Sequence, residues 1–423
     1  MTRTRAVALV AAAAALPRLA VLLHERGAIL AGNVEKSDTF ATTFVHSGTF
    51  GFIPGVPSAA TQPLYGWFLI PLYWIFGRSW ETVGLAQIVV AVCTALVVFE
   101  IGRRIVSTSA GIVGALAATL NPYLVWHDVH VNREILDQLL AAAIVFLALL
   151  VARDRRLSIA TALGVALGLA MLGNARLFAL PVVVVAYLAW RIGSARRAAE
   201  IAAVVLVCAG VAVLPWLVRN DVQLGCFALT TDGRALWKAN NQFTHSVLAR
   251  GGWIDDVPRD QPPGRPLTAA EAQTIWQRGE GKRNVHECAQ VTYYENKVFA
   301  FWVDHPGEKA RLMAQAAGML WSPRVTETTG RSAAGTMVDV GRRWIAPIYT
   351  AMLYAFAIAG LFMVTRAFAV LALLVLAYDT VTALAFAGAT RYRVPWDFVI
   401  ALLAAAALVQ AWQRVRVWRS AYA

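Results

Sequence analysis

Asp38 opens a short amphipathic run, SDTFATTFVHS, directly after the first apolar stretch of the chain. Phe40, Phe44 and Val45 recur at helical spacing, which predicts a helix lying in a membrane interface with the carboxylate in its first turn. That carboxylate has two readings. It is a helix-end charge complementing the macrodipole, or a general base that takes a proton from an attacking hydroxyl. His46 reads as a surface histidine rather than a base.

Arginines at the ends of apolar stretches are the second set: Arg18, Arg176, Arg391 and Arg393. A charge at that depth is costly and needs a partner or a function. Guanidinium grips phosphate with two parallel bonds, so several aimed at one cavity would hold a lipid phosphate; each alone could instead snorkel to headgroups. Arg391-Tyr392-Arg393, set against the helix start at Pro395, is the most suggestive pair. A third set lies in WHDVHVNRE (126–134). His127, Asp128 and His130, with Glu134, are candidate ligands for a divalent metal, but their spacing fits no established metal motif. Arg133 and Glu134 orient substrate or pair with each other. There is no phosphate-binding loop, dinucleotide fingerprint or GxSxG nucleophile elbow, which argues against nucleotide-driven work.

The elements that must position these groups are membrane helices. The 423 residues are 58% hydrophobic and only 15% charged, well below the charged share of soluble domains. Ten stretches of about 20 residues suit a bilayer core: roughly 6–23, 81–101, 107–126, 135–151, 157–175, 177–192, 198–218, 343–364, 367–388 and 394–412. The first resembles a signal peptide, but its apolar run resumes past Arg18 to Leu23, so an uncleaved anchor is expected. Arginine-bearing loops after the second, fourth, sixth and eighth stretches, and the C-terminal tail, place both termini in the cytoplasm of a plasma (inner) membrane. The net charge of +13 then serves topology and membrane lipids, not nucleic acid. Three parts follow: residues 1–218 with a first outer loop at 24–80, an outer block at 219–342, and 343–423 with a basic tail. The latter part of the outer block, 267–321, reads as helical. Thr268 and Glu271 have capping-box spacing, and a break falls at His305-Pro306-Gly307. Cys226 and Cys288 both fall in this block, so a disulfide is open to them if it is extracytoplasmic.

The order of motifs resembles the GT-C superfamily of membrane glycosyltransferases, in the branch of protein O-mannosyltransferases and aminoarabinose transferases. The resemblance rests on Asp38 in the first outer loop, GTFGF (48–52), QPLYGWFLIPLYWIFGRS (62–79), LNPYLVW with NREILDQ, and GNARLFALP (173–181). It continues through LPWLVRNDVQLG (214–225), DGRALWKANN (232–241), YYENKVFAFWVDHPGEKARL and ATRYRVPWDF. Two departures concern the acceptor and the sugar: Thr39 stands where the family often has a second acid, and Gln62-Pro63 where it often has Pro-Pro.

The resemblance implies an all-α polytopic fold, with interfacial juxtamembrane helices in the first outer loop and one mainly helical outer domain. It implies a polyprenyl-phosphate-sugar donor and a lipid, glycan or protein acceptor, in a bacterial cell envelope. Transfer would be inverting, with Asp38 as the base and Arg176, Arg391, Arg393 and Arg18 on the donor phosphate. Gln62, Tyr65, Arg133 and Glu134 would face substrate, and Trp237, Asn240 and Asn241 would sit at the cavity rim. No cofactor is required, and a divalent metal is not indicated. A lipid-linked saccharide transporter or flippase, and a polysaccharide polymerase or ligase, are the competing readings. Neither requires a base directly after the first span.

Overall fold

Helix α1 (Arg3–Glu25) starts at Thr2, whose hydroxyl accepts the Arg5 backbone N–H at 3.4 Å. Its buried residues Ala6, Val10, Ala14, Arg18, Leu22 and Glu25 step along one face, the pattern of a helix packed on a single side. In the computed structural model the described residues are 2–31, 35–258, 270–271, 273–274, 287–326 and 340–422. Among them the fold is all helical, apart from one isolated bridge between Ile53 and Val56.

Two juxtamembrane helices follow, α2 (Lys36–Ser47) and α3 (Pro63–Phe76). Gly48 closes α2 in the left-handed region (φ 70°), which turns its N–H onto the Phe44 carbonyl. Pro63 opens α3, where its missing N–H costs nothing. Next, α4 (Trp80–Ile105) packs on α1, and its Ser79 cap accepts the Thr82 N–H at 3.1 Å. The stretch expected as one span at 107–126 is two helices, α5 (Thr108–Thr119) and α6 (Pro122–His127). Asn121-Pro122 divides them: proline cannot continue the ladder, and the Asn121 side chain accepts the Tyr123 N–H to start the second helix.

The chain then crosses back and forth in α7 (Glu134–Asp154), α8 (Leu157–Gly173), α9 (Leu180–Ile192) and α10 (Ala195–Leu224). Here α8 and α10 approach closely because Gly164 and Gly168 lie in the interface. A Cβ on Gly164 would stand 2.5 Å from the Val205 carbonyl oxygen, so small residues set this crossing. Helix α10 runs on to Leu224, past the expected boundary at 218.

The outer segment carries α11 (Gly233–Lys238), α12 (Thr244–Ala249), α13 (Glu287–Asp304) and α14 (Pro306–Trp321). The last two are divided at His305, where the break was expected. Thr268, half of the expected capping box, and most of the Pro/Gly-rich 258–266 stretch lie outside the described residues. Cys226 and Cys288 form a disulfide (Cα–Cα 5.9 Å) that ties the start of the segment to α13. Its small core gathers Trp237, Val247, Val257, Tyr294 and Val298. The chain returns through α15 (Ala346–Leu361), α16 (Arg366–Ala385), the short turn α17 (Thr390–Arg393) and α18 (Asp397–Tyr422). Eight described helical stretches are long and apolar enough to cross a membrane. Two of the ten expected spans, α5 and α8, are shorter apolar helices, as is α3.

Candidate active site

Asp38 sits in the first turn of α2, 5% exposed, and is clamped from α3 and the turn after it. The Tyr73 hydroxyl donates to Oδ1 at 2.5 Å. The Arg78 Nε donates to Oδ1 and Oδ2 at 3.0 and 3.1 Å, and its Nη2 to Oδ2 at 3.0 Å. The same guanidinium reaches the Leu30 carbonyl at 3.1 Å, joining the end of the first span to the clamp. Burial and the Asp38 carboxylate both push the Tyr73 hydroxyl up, so it stays protonated and remains the donor. With Tyr73 and Arg78 spread over both oxygens, the carboxylate is fixed in direction yet keeps lone-pair capacity for one more donor. Neither Tyr73 nor Arg78 stands out in the sequence. Both lie inside the QPLYGWFLIPLYWIFGRS stretch, where an aromatic run hides a polar hydroxyl.

A second group forms where α7, α9 and α17 begin. Arg391 donates through Nε and Nη2 to Glu134 Oε1 at 2.8 and 2.5 Å, and through Nη2 to Glu35 at 2.8 Å. Arg133 donates to Gln62 at 2.5 Å, and Asn174 to Asp137 at 3.0 Å. The Arg176 guanidinium lies 3.8 Å from the centre of the Tyr392 ring and donates to Thr382 at 3.3 Å. Five buried side-chain atoms here make no hydrogen bond: Arg133 Nε, Glu134 Oε2, Asp137 Oδ1, Arg176 Nε and Asp379 Oδ2. Folded proteins pair nearly all such atoms, so a cluster of mixed donors and acceptors suits a polar, charged ligand. Asp137 and Asp379, absent from the sequence expectations, belong to this group. Each interrupts an apolar run, the one signal that could have found them.

The other expected residues go elsewhere. Arg18 is drawn into the protein: its Nε and Nη2 bind Asp128 Oδ2 at 2.9 and 2.7 Å, and Nη1 binds the Ala14 carbonyl and Thr119. Both partners of that pair are about 1% exposed, so Arg18 is a structural tie and not part of the arginine group. Arg18→Met would leave Asp128 charged and buried. A loss of about 3–5 kcal/mol is expected, read as a lower thermal midpoint in detergent; an unchanged midpoint would contradict the pairing. Arg393 bonds Asp397 at 3.0 Å and the Leu320 and Ser322 carbonyls at 3.0 and 2.8 Å, fastening the end of α14. The Tyr65 hydroxyl donates to Gln87 at 2.5 Å, and Gln87 in turn holds the Asp128 and His130 carbonyls. Tyr65 therefore shapes the second outer loop from below.

His127, Asp128 and His130 do not converge. Asp128 is taken by Arg18 and Gln138, while His130 uses Nδ1 on the Trp126 carbonyl at 2.9 Å. Burial pushes both imidazoles down, so both are neutral. Among the described residues no group of three or more His, Cys, Asp or Glu side chains is placed to hold a metal.

Trp237 lies in the core of the outer segment, and Asn240 at its joint with the end of α16, where its amide donates to the Ala385 carbonyl at 3.1 Å. Trp237 packs on Tyr294. The Asn240 amide oxygen accepts Trp302 Nε1 at 2.8 Å and Lys309 Nζ at 2.7 Å. Asn241 donates to the Trp237 carbonyl at 2.8 Å. Lys309 also donates to the Leu384 carbonyl at 2.8 Å, so it joins α14 to the end of α16. Burial lowers its amine from 10.5 to about 8. Between those values the unfolded chain binds the extra proton, so stability should rise with pH across this window. Lys309→Met should flatten that rise in pH-dependent melting curves; an unaltered slope would exclude Lys309 as its source.

Residues 57–218 match the family described as dolichyl-phosphate-mannose-protein mannosyltransferase. No curated protein matches the chain. Among solved structures, the archaeal oligosaccharyltransferase AglB from Archaeoglobus fulgidus, with an inhibitory peptide and a dolichol-phosphate, is similar at 15% identity and a TM-score of 0.55. That alignment covers 98% of this chain and 51% of the other. The Archaeoglobus fulgidus oligosaccharyltransferase in complex with Zn and sulfate is 13% identical with a TM-score of 0.53, over 96% and 50% of the two chains. ArnT from Cupriavidus metallidurans bound to undecaprenyl phosphate is 17% identical with a TM-score of 0.47, over 96% and 78%. The chain spans about half the length of the oligosaccharyltransferases it matches. It is therefore a multi-pass membrane protein that shares the fold of these oligosaccharyltransferases, and its residues 57–218 are similar to the protein-mannosyltransferase family.

Proposed function

We propose that the protein is a glycosyltransferase that moves a sugar from a polyprenyl-phosphate-linked donor to an acceptor hydroxyl at the extracytoplasmic face of the membrane. One observation carries this reading. A fixed carboxylate, Asp38, and a buried group of arginines and carboxylates around Arg391 occur at the same end of a GT-C helix bundle. The fold supports it, and so does the family match over 57–218. The Cys226–Cys288 disulfide supports an oxidising, extracytoplasmic side for the outer segment.

In the proposed reaction Asp38 accepts the proton of the acceptor hydroxyl as its oxygen attacks the anomeric carbon. The bond from that carbon to the phosphate oxygen breaks, and the polyprenyl phosphate departs with the electron pair. A single displacement of this kind inverts the anomeric centre. Phosphate is a good leaving group, so the site needs positive charge more than a general acid. Arg391 and Arg176 supply it from partly buried positions, where fixed charges act strongly. Glu134 and Glu35 hold Arg391 in place, and Arg133, Asp137 and Gln62 are set to meet the sugar hydroxyls.

The test uses proteoliposomes loaded with single polyprenyl-phosphate sugars, together with mass spectrometry of the lipid. Release of free polyprenyl phosphate on adding acceptor is the expected result. Movement of the intact lipid-linked sugar across the bilayer, with its glycosyl–phosphate bond unbroken, would make the protein a transporter and reject the proposal.

A further inference from the structure

A second charged crevice lies at the opposite end of the bundle, where α4, α7 and α9 finish and α16 begins. Arg104, Arg153 and Arg191 stand in the last turns of three helices, and Ala367 in the first turn of the fourth. They line a crevice of about 170 Å³ whose walls are apolar, with Ile105, Phe146 and Leu150 among them. The Arg104 guanidinium rests over the Phe146 ring, 5.1 Å from its centre. Tyr187, 1% exposed, lines the same crevice, and its hydroxyl lies beside Arg191.

The local charge is positive. Glu100 is shared among Arg3, Arg103 and Arg104, and Asp154 is paired with Arg153. Among the described residues no carboxylate pairs with Arg191. The surroundings suit the level of lipid headgroups: Trp190 is 45% exposed, and its ring has the Arg191 and Arg366 guanidiniums at 5.6 and 5.9 Å. Amphipathic rings collect at that interface. A soluble phosphate would have no use for the apolar walls. A zwitterionic headgroup would bring its own cation to a site already rich in them.

We infer that this crevice binds an anionic phospholipid of the leaflet opposite the reaction site. Its phosphodiester would sit between Arg104, Arg153 and Arg191, the Tyr187 hydroxyl would donate to a headgroup or ester oxygen, and the first methylenes would lie against Phe146 and Leu150. Basic pockets between helices at a membrane surface take such headgroups.

The experiment is native mass spectrometry of the full chain released from phosphatidylcholine nanodiscs doped with phosphatidylglycerol. One phosphatidylglycerol should be retained, in preference to phosphatidylcholine. Each arginine near such a surface is worth about fivefold in affinity. Arg104→Ala with Arg191→Ala should therefore weaken retention by about 25-fold, and Tyr187→Phe by about threefold. Arg191→Lys, which keeps the charge, should stay close to the parent protein. Arg391→Lys, which keeps the charge at the other end of the bundle, should leave phosphatidylglycerol retention unchanged and so separates this site from a donor-phosphate site. Circular dichroism shows which variants fold. Equal retention of the two lipids by the parent protein, or unchanged retention in the folded double variant, would overturn the assignment.

Discussion

Asp38→Asn is expected to lower kcat for sugar transfer by about 10²- to 10⁴-fold, the range that a positioned general base supplies. The substitution is close to isosteric, and the Tyr73 hydroxyl can still donate to the remaining carbonyl oxygen. What is lost is the proton acceptor, together with the attraction that holds Arg78. Arg78 is about a third exposed and can turn to water, so the cost in stability should be small beside the cost in rate. Single-turnover transfer from a lipid donor, with melting curves of the same preparations, separates the two. A folded variant that keeps near-parental turnover would remove Asp38 from the chemistry. Arg78→Lys is the companion measurement. It keeps one charge but cannot hold both carboxylate oxygens, so it should lower turnover less than Asp38→Asn does.

Arg391 carries the second large effect, on binding rather than on the proton transfer. Its fork is shared by Glu134, 2% exposed in its side chain, and Glu35. Arg391→Ala would leave two carboxylates without their counter-charge, at a cost of about 3–5 kcal/mol for a pair of this burial. That variant alone would confuse folding with function. Arg391→Lys keeps the charge and loses the two-way geometry. It should raise the KM for the lipid donor by about tenfold, with the acceptor KM changed much less. The reverse pattern would take Arg391 off the phosphate. Glu134→Gln should also act on the donor, because a neutral amide holds the guanidinium less firmly than a carboxylate does.

Much of the bundle was legible because a bilayer imposes length and apolarity on whatever crosses it. The juxtamembrane pair α2 and α3 was legible for the complementary reason: each is too short or too interrupted to span. The third expected span failed at Asn121-Pro122, since hydropathy sums over a window and does not register a lost backbone donor. The arginines show the limit more sharply. Arg18 and Arg391 look alike in the sequence, each a cation at the edge of an apolar run. Only the fold sends Arg18 to Asp128, 110 residues away, and Arg391 to Glu35 and Glu134. A cation in an apolar run announces that it has a partner, without saying whether that partner is a side chain or a substrate. The same reasoning applies to the Trp237–Asn240 motif: it marks a joint between the outer segment and α16, and joints need fixed polar pairs as much as sites do.

The end of α16 receives contacts from two directions within about one turn. Thr382 accepts from Arg176, and the Leu384 and Ala385 carbonyls accept from Lys309 of the outer segment. Just beyond, Gly388 lets the chain press against α14, where a Cβ would stand 1.8 Å from the Ala316 carbonyl oxygen. The outer segment and one arginine of the buried group are thus mounted on a common post. A ligand that displaces the segment must also displace the arginine, and free-energy linkage makes the influence mutual. A ligand held by the outer segment and one held by Arg176 would then set each other's affinity through a single helix end.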